Sequence, residues 1–357
     1  MGNNILIDLR SLRDMNCGFG QFSYFLGKAI EENNTNKNIT FMLPESAKRY
    51  FNSVSFEFSR KWKKQPFYSY LKYISPRKKY DLWHSTEQFS KFLPFHRSTP
   101  VILTIHDLNF LREKNAKKVE IYRKRLQKKV NRASIITTIS NFVSNEIRRE
   151  LDLKGKEVRV IYNGLNVVGS APRKPLFSHI EKDYLFTIGQ IVPKKNFYTL
   201  LDFLVDTSYN LVIAGQDSSE YAQLIKDKIV DMNLSERVIL PGVIDEGEKK
   251  WLYQNCAAFV FPSLTEGFGL PIIEAMHYGK PVFMSNKTSL PEVGGEYGFY
   301  WDRYDPEHMR EVFFQGMERY NINPDFKRRL RAHSKAYSWN SAAKKYIKLY
   351  DELLRNT

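Results

Sequence analysis

Cysteine is nearly absent from this chain of 357 residues: only Cys17 and Cys256 occur, far apart in sequence. Two distant cysteines build neither a disulfide framework nor a cysteine-based zinc site. The seven histidines are scattered without ligand spacing, which argues against zinc held by imidazoles. No apolar run approaches the ~18 residues of a membrane span. The first ten residues, MGNNILIDLR, carry neither a basic n-region nor an apolar signal core, so a cytoplasmic location is expected. They also lack the Ser or Thr of a myristoylation signal. Short repeats, low-complexity tracts and an Asp-x-Asp pair in a convincing strand-end context are missing too, so no metal requirement is expected. Hydrophobic residues make up 42% and aromatics 14%, enough for two packed cores and too much for disorder.

The net charge of +16 is unevenly placed. Residues 1–168 hold 31 Lys and Arg against 15 Asp and Glu, whereas residues 169–357 hold 24 of each. Such a one-sided excess points to an acidic partner for the N-terminal half.

Short apolar or β-branched runs alternate with helical stretches. Strands are expected at 5–9, 39–43, 82–84, 101–105, 135–139 and 158–162, with helices such as 21–32 and 116–130 between them. Residues 164–180 are rich in Gly, Ser and Pro and read as a linker. The alternation restarts with strands at 184–188, 210–214, 238–240, 258–260 and 281–284, and with helices near 197–205, 220–232, 246–255 and 271–278. Residues 340–354 form an amphipathic helix that can pack back on the first domain. The expectation is an α/β protein with two Rossmann-like, doubly wound domains, 1–168 and 169–339, facing a cleft.

The most informative stretch is 262–276, PSLTEGFGLPIIEAM. It follows a buried-type strand and opens a helix near Pro271, a residue suited to the first helical turn. Gly267 and Gly269 let backbone approach a ligand closely. The helix start offers amide N–H groups and a positive dipole end, which suit a diphosphate. Glu266 lies before the helix and Glu274 one turn inside it, so both can face one pocket beside the anion. A carboxylate there serves best as an acceptor for the hydroxyls of sugar and ribose.

This stretch resembles the E-x7-E signature of retaining GT-B glycosyltransferases, specifically glycosyltransferase family 4. Similar pieces follow in order: CGFG at 17–20, DLWHS at 81–85, TIHDL at 104–108, ISNF at 139–142, VIYNG at 160–164, GQIVPKKN at 189–196, GKPV at 279–282 and SLPE at 289–292. The resemblance implies donor-sugar hydroxyls on Glu266 and ribose hydroxyls on Glu274. It implies the donor diphosphate on Lys195 and on the backbone N–H groups of Phe268, Gly269 and Leu270. Gly18 and Gly20 would let a loop close over the phosphates, and His106 would sit near the donor sugar and the reacting centre. Where many relatives carry Arg after the first glycine of the diphosphate loop, this chain has Gln190, a donor without the charge. Lys195 is left as the main cationic ligand. His84 reads as structural. The resemblance further implies a nucleotide sugar as co-substrate, no metal, and retention of anomeric configuration. GDP-mannose is the first expectation for the donor and UDP-sugars the next.

Two basic stretches remain. Residues 46–80 hold ten Lys and Arg, one acidic residue and ten aromatics; residues 112–132 hold ten Lys and Arg and two acidic residues. This composition suits an anionic membrane surface or a lipid-linked glycan acceptor. No nucleic-acid module is recognisable. Other functions compatible with the sequence are a different GT-B enzyme, such as an epimerase or phosphorylase, and a non-enzymatic basic binding protein.

Overall fold

A computed structural model describes residues 3–15, 17–34, 36–58, 78–166, 169–177 and 183–355. The chain divides into two compact units, Met1–Gly164 with Ser338–Thr357, and Leu165–Tyr337.

The first unit is built on strands β1 (Asn4–Asp8), β2 (Asn38–Leu43), β3 (Ser55–Phe58), β4 (Leu82–Ser85), β5 (Val101–Ile105), β6 (Ile135–Thr138) and β7 (Val158–Val160). They form one seven-stranded sheet in the order β3-β2-β1-β4-β5-β6-β7, and every pair is parallel. Parallel strands covered on both faces read as continuous apolar runs, and the central strands here are buried along their length. Its helices are α1 (Gly18–Asn33), α2 (Phe110–Glu113), α3 (Ala116–Arg132) and α4 (Asn141–Glu150). Leu126 and Val130 of α3 meet Val143 and Ile147 of α4 in a core over Leu103 and Ile136. Asn115 and Ser140 cap α3 and α4 by accepting from Lys118 N and Val143 N.

The second unit repeats the plan with β8 (Tyr184–Ile188), β9 (Asn210–Ala214), β10 (Val238–Gly242), β11 (Ala258–Phe261), β12 (Val282–Ser285) and β13 (Gly298–Trp301). Their order is β10-β9-β8-β11-β12-β13, all parallel. This is the doubly wound order, in which ligands lie beyond the C-terminal strand ends where the winding reverses. The reversal falls between β8 and β11. Its helices are α5 (Thr199–Leu204), α6 (Glu220–Asp231), α7 (Glu246–Asn255), α8 (Leu270–His277), α9 (Leu290–Gly294), α10 (Pro306–Ile322) and α11 (Phe326–Lys335). Asp245 and Glu248 close a full capping box on α7.

A last helix, α12 (Trp339–Arg355), belongs to the first unit and packs on α1 and β4. Its buried side chains include Trp339, Ala342, Ala343, Tyr346, Leu349 and Tyr350, one face of a 3.6-residue repeat. Tyr350 Oη lies 2.8 Å from His84 Nδ1, while His84 Nε2 lies 2.8 Å from Thr104 Oγ1. Tyr346 Oη sits 3.3 Å from that same threonine hydroxyl. Burial lowers the pKa of His84 to about 3, assisted by His106, so the ring is a neutral member of a packed polar network.

Candidate functional site

The loops leaving β8 and β11 meet at the reversal of the second sheet. Gly189 (φ 153°), just after β8, and Gly215 (φ 141°), just after β9, let these two strand ends lie close together. A Cβ on Gly215 would stand 1.9 Å from Gly189 O, and one on Gly189 would press on Lys195 Cε at 3.3 Å. Beyond Gly189, Pro193–Lys195 forms a single 3-10 turn, closed by Asn196 in the left-handed region (φ 55°). The turn delivers Lys195 to the β11 loop: Leu264 N donates to Lys194 O at 2.7 Å. Lys195 Nζ donates to Glu266 Oε1 at 2.5 Å and lies 4.9 Å from the centre of the Phe261 ring. Ser263 Oγ donates to the same carboxylate oxygen at 2.7 Å. The two charged side chains are only 13% and 16% exposed. Thus Lys195 and Glu266, far apart in sequence, form one ion pair on the edge where a ligand of this sheet would lie.

Gly269, in a left-handed conformation (φ 106°), turns the chain into α8. A Cβ there would stand 2.8 Å from Leu290 Cδ2. Phe268 is buried, with its ring edge-on to Tyr337, and Leu270 opens the helix ahead of Pro271. First-turn amides have no intrahelical acceptor, so this end can seat an anion. Gln190 is exposed on the neighbouring loop. Two residues not singled out in the sequence also act here. Glu266 N donates to Thr288 Oγ1 at 3.0 Å, and Ser289 Oγ lies 2.9 Å from Glu266 O and 3.0 Å from Phe268 O. The SLPE segment contained Ser289, but nothing in its pattern marked a role.

Glu274 departs from expectation. Instead of an exposed pocket acceptor, it is 6% exposed. Tyr253 Oη donates to its Oε2 at 3.0 Å, and Lys249 Nζ lies 3.7 Å from Oε1. Burial raises the Glu274 pKa, and Lys249 opposes that rise. The cause is the surroundings of α8: Ile272, Ile273, Ala275 and Met276 are all buried, and α7 covers the carboxylate with Tyr253 and Lys249. A crevice of about 10 Å³, also lined by Asn166 and Tyr278, remains beside Glu274. Glu266 and Glu274 therefore have separate partners, one on Lys195 and Ser263, the other on Tyr253 and Lys249.

In the first unit Gly18 and Gly20 belong to the first turn of α1. A Cβ on Gly20 would stand 1.9 Å from Asp14 O, whereas Gly18 has open space. Phe19 and Phe22 set their rings edge-on to His106, so the glycine turn and this histidine share one place. His106 Nε2 lies 2.7 Å from Thr86 O. A carbonyl only accepts, so Nε2 carries the proton and Nδ1 keeps its lone pair. Burial lowers the pKa to about 4 against the pull of the Thr86 bond, which leaves the ring neutral at pH 7.

The two basic stretches fare differently. Most of 46–80 lies outside the described residues, including Lys61, Trp62, Lys63, Lys64, Phe67 and Tyr68. In the other stretch several cations serve the fold. Arg112 pairs with Glu146 at 2.5 Å and Arg123 with Glu150 at 2.9 Å. Arg132 donates to Thr99 O, and Lys129, its pKa lowered to about 8 mainly by burial, reaches toward Phe92 O. Besides Arg112, the exposed cations are Lys117, Lys118, Lys124, Arg125 and Lys128 of α3, with Lys114 before it. Positions 117, 121, 124 and 128 share one helix face, and Ile121 in its middle is 41% exposed. Among the described residues no three His, Cys, Asp or Glu side chains converge to hold a metal. No described helix is long and apolar enough to cross a membrane.

Comparison with known proteins matches both units. The family model described as glycosyl transferases group 1 covers residues 172–337, and that of glycosyltransferase family 4 covers residues 41–168. The O-antigen chain mannosyltransferase B of Escherichia coli is 30% identical over 278 residues, 72% of each chain. The O-antigen chain mannosyltransferase RfbU of Salmonella typhimurium is 29% identical over 206 residues, 56% of each chain. Among solved structures, the sucrose-phosphate synthase of Thermosynechococcus elongatus superposes with a TM-score of 0.77 at 18% identity, over 99% of this chain and all of that one. With GT-B topology in both units and a relative at this identity over most of its length, the chain belongs to glycosyltransferase family 4.

Proposed function

We propose that the enzyme transfers mannose from GDP-mannose, with retention of configuration, to a lipid-linked acceptor of lipopolysaccharide or O-antigen assembly. The observation that carries this reading is the Lys195–Glu266 pair at the reversal of the second sheet, beside the start of α8. Mannose and the acceptor class are suggested by the two O-antigen chain mannosyltransferases among the relatives.

On this reading the donor diphosphate takes Lys195 from Glu266, helped by the amides of Phe268, Gly269 and Leu270. Glu266 then accepts from hydroxyls of the sugar. As the glycosidic bond to the diphosphate lengthens, positive charge grows on the sugar and negative charge on the leaving phosphate. Lys195 and the helix end stabilise the latter most where it is largest, in the transition state. Glu274, beside its crevice, accepts from the ribose, and Gln190 adds a neutral donor near the phosphates. No metal is required, because a lysine and a helix terminus do the phosphate work. The first unit binds the acceptor and docks on the inner face of the cytoplasmic membrane through α3; nucleic acid has no part.

A thermal-shift screen of GDP, UDP, ADP and dTDP with their sugars tests the donor, since specific binding stabilises by mass action. GDP and GDP-mannose should shift melting most. Proton NMR of the transferred sugar should show the anomeric configuration of the donor, and transfer should survive EDTA. A larger shift with UDP-sugars would reject GDP-mannose; loss of transfer with EDTA and rescue by Mg²⁺ would reject the metal-free mechanism.

A further inference from the structure

The loop that presents Glu266 is held by three consecutive residues from another part of the second unit. Thr288 adopts φ 56°, a conformation that a β-branched residue rarely takes. Its Oγ1 accepts from Glu266 N. Ser289 stands at the N-cap of α9, where a serine hydroxyl ordinarily accepts from an amide of its own helix. It makes no such bond. Instead, fully buried, it turns its hydroxyl to Glu266 O and Phe268 O. Leu290 then fills the space that a Cβ on Gly269 would need. Two neighbouring residues thus forgo the local conformation or the local bond they would normally have, and both serve the same four-residue loop.

We infer that Thr288 and Ser289 are positioning residues for the donor, with Thr288 setting the sugar end and Ser289 the diphosphate end. The inference rests on the donor-site reading above. Peptide planarity gives the division of labour. A trans peptide points its C=O and N–H in opposite directions, so fixing Phe268 O fixes the N–H of Gly269, one of the proposed phosphate donors. Fixing the amide of Glu266 sets the backbone from which the carboxylate reaches Lys195 and Ser263. Strained residues that the surroundings hold in place concentrate at ligand clamps, and Thr288 fits that pattern.

The test pairs amide hydrogen exchange with calorimetry on Thr288→Val, Thr288→Ser and Ser289→Ala, using GDP, UDP and their sugar conjugates as probes. In Thr288→Val the Glu266 amide should exchange about tenfold faster, the net effect of roughly one hydrogen bond. GDP affinity should stay within about twofold, while any advantage of GDP-mannose over GDP disappears. Thr288→Ser should behave as the parent. Ser289→Ala should speed exchange at Gly269 and weaken GDP about tenfold. Unchanged exchange at 266–269 would overturn the inference. So would a uniform rise in exchange across the second unit, the signature of a merely structural role. If Ser289→Ala does not fold, the shape-conserving Thr288→Val decides. A parent that binds no nucleotide would sink the donor reading instead, and the exchange results would still judge the clamp.

Discussion

Replacing Glu266 by Gln should tighten the binding of free GDP while slowing sugar transfer. Lys195 is paired with Glu266 at 2.5 Å, with both side chains largely withdrawn from solvent. A diphosphate must displace that carboxylate and then lie near it. Two unit charges about 4 Å apart at an effective dielectric near 20 attract by about 4 kcal/mol. Part of this is offset because Gln still accepts a hydrogen bond and because a lysine freed of its partner is better hydrated. A remainder of about 1–2 kcal/mol predicts GDP binding roughly 5- to 30-fold tighter in Glu266→Gln. Turnover moves the other way: a carboxylate that holds sugar hydroxyls in the transition state is lost, and a fall of about 100-fold is expected. Calorimetry with GDP and initial rates with the sugar nucleotide, on the same preparations, read both. GDP affinity equal to or below that of the parent would refute the idea that the ion pair competes with the donor.

Lys195→Ala should lower turnover by about two to three orders of magnitude, as loss of an electrostatic stabiliser does, and Lys195→Arg should keep part of it; near-normal rates for the alanine variant would leave the lysine no catalytic part. Glu274→Ala should weaken the nucleotide sugar and also lower the melting temperature, because the buried Tyr253 hydroxyl loses its 3.0 Å acceptor and keeps only the 3.4 Å bond to Pro271 O; nucleotide affinity equal to that of the parent would remove the ribose role. Acid should destabilise the first unit. His84 and His106 hold pKa values of about 3 and about 4 when folded, against about 6.5 in an unfolded chain. The unfolded state therefore binds more protons as pH falls from 6.5 toward 4. Stability is complete above that window and declines through it by up to about 1.4 kcal/mol per pH unit for each histidine. A melting temperature flat from pH 7 to 4.5 would contradict this. Changing Lys117, Lys124 and Lys128 together to Glu should release the protein from anionic vesicles at low salt and leave GDP affinity unchanged, each cation near such a surface contributing about 1 kcal/mol. Equal retention of parent and variant would dismiss α3 as the docking face.

Eleven strands were legible because buried parallel strands spell themselves as apolar runs. The edge strand β3 was not: it is only half covered, and Glu57 interrupts its four residues. β13 opens with glycine and is too short to show a period. The start of α10 was written in Asp305 and Pro306, an N-cap followed by proline at the first turn, yet its mixed surface obscured the helix that follows. At the site, Glu266 could be picked out because loop glycines and a helix start have local signatures, whereas Lys195 followed only from the resemblance of residues 189–196 to the family's diphosphate loop. The burial of Glu274 depends on α7, and the hold of Thr288 and Ser289 on the loop depends on a contact across 22 and 23 positions of sequence. Neither leaves a mark in the residues nearby.

The placement of α12 has a consequence for the order in which the protein comes into being. The first unit needs the last helix of the sequence: without Tyr346 and Tyr350, the hydroxyl of Thr104 and the ring of His84 lose partners in an apolar interior. The second unit, Leu165–Tyr337, is continuous. During synthesis, where domains usually complete from the N-terminus onward, the sequence here reverses. The unit made second can finish first, while the one made first waits through the whole of it for its closing helix. A frameshift just ahead of Ser338 would accordingly damage the unit that starts before it, Met1–Gly164, and spare Leu165–Tyr337.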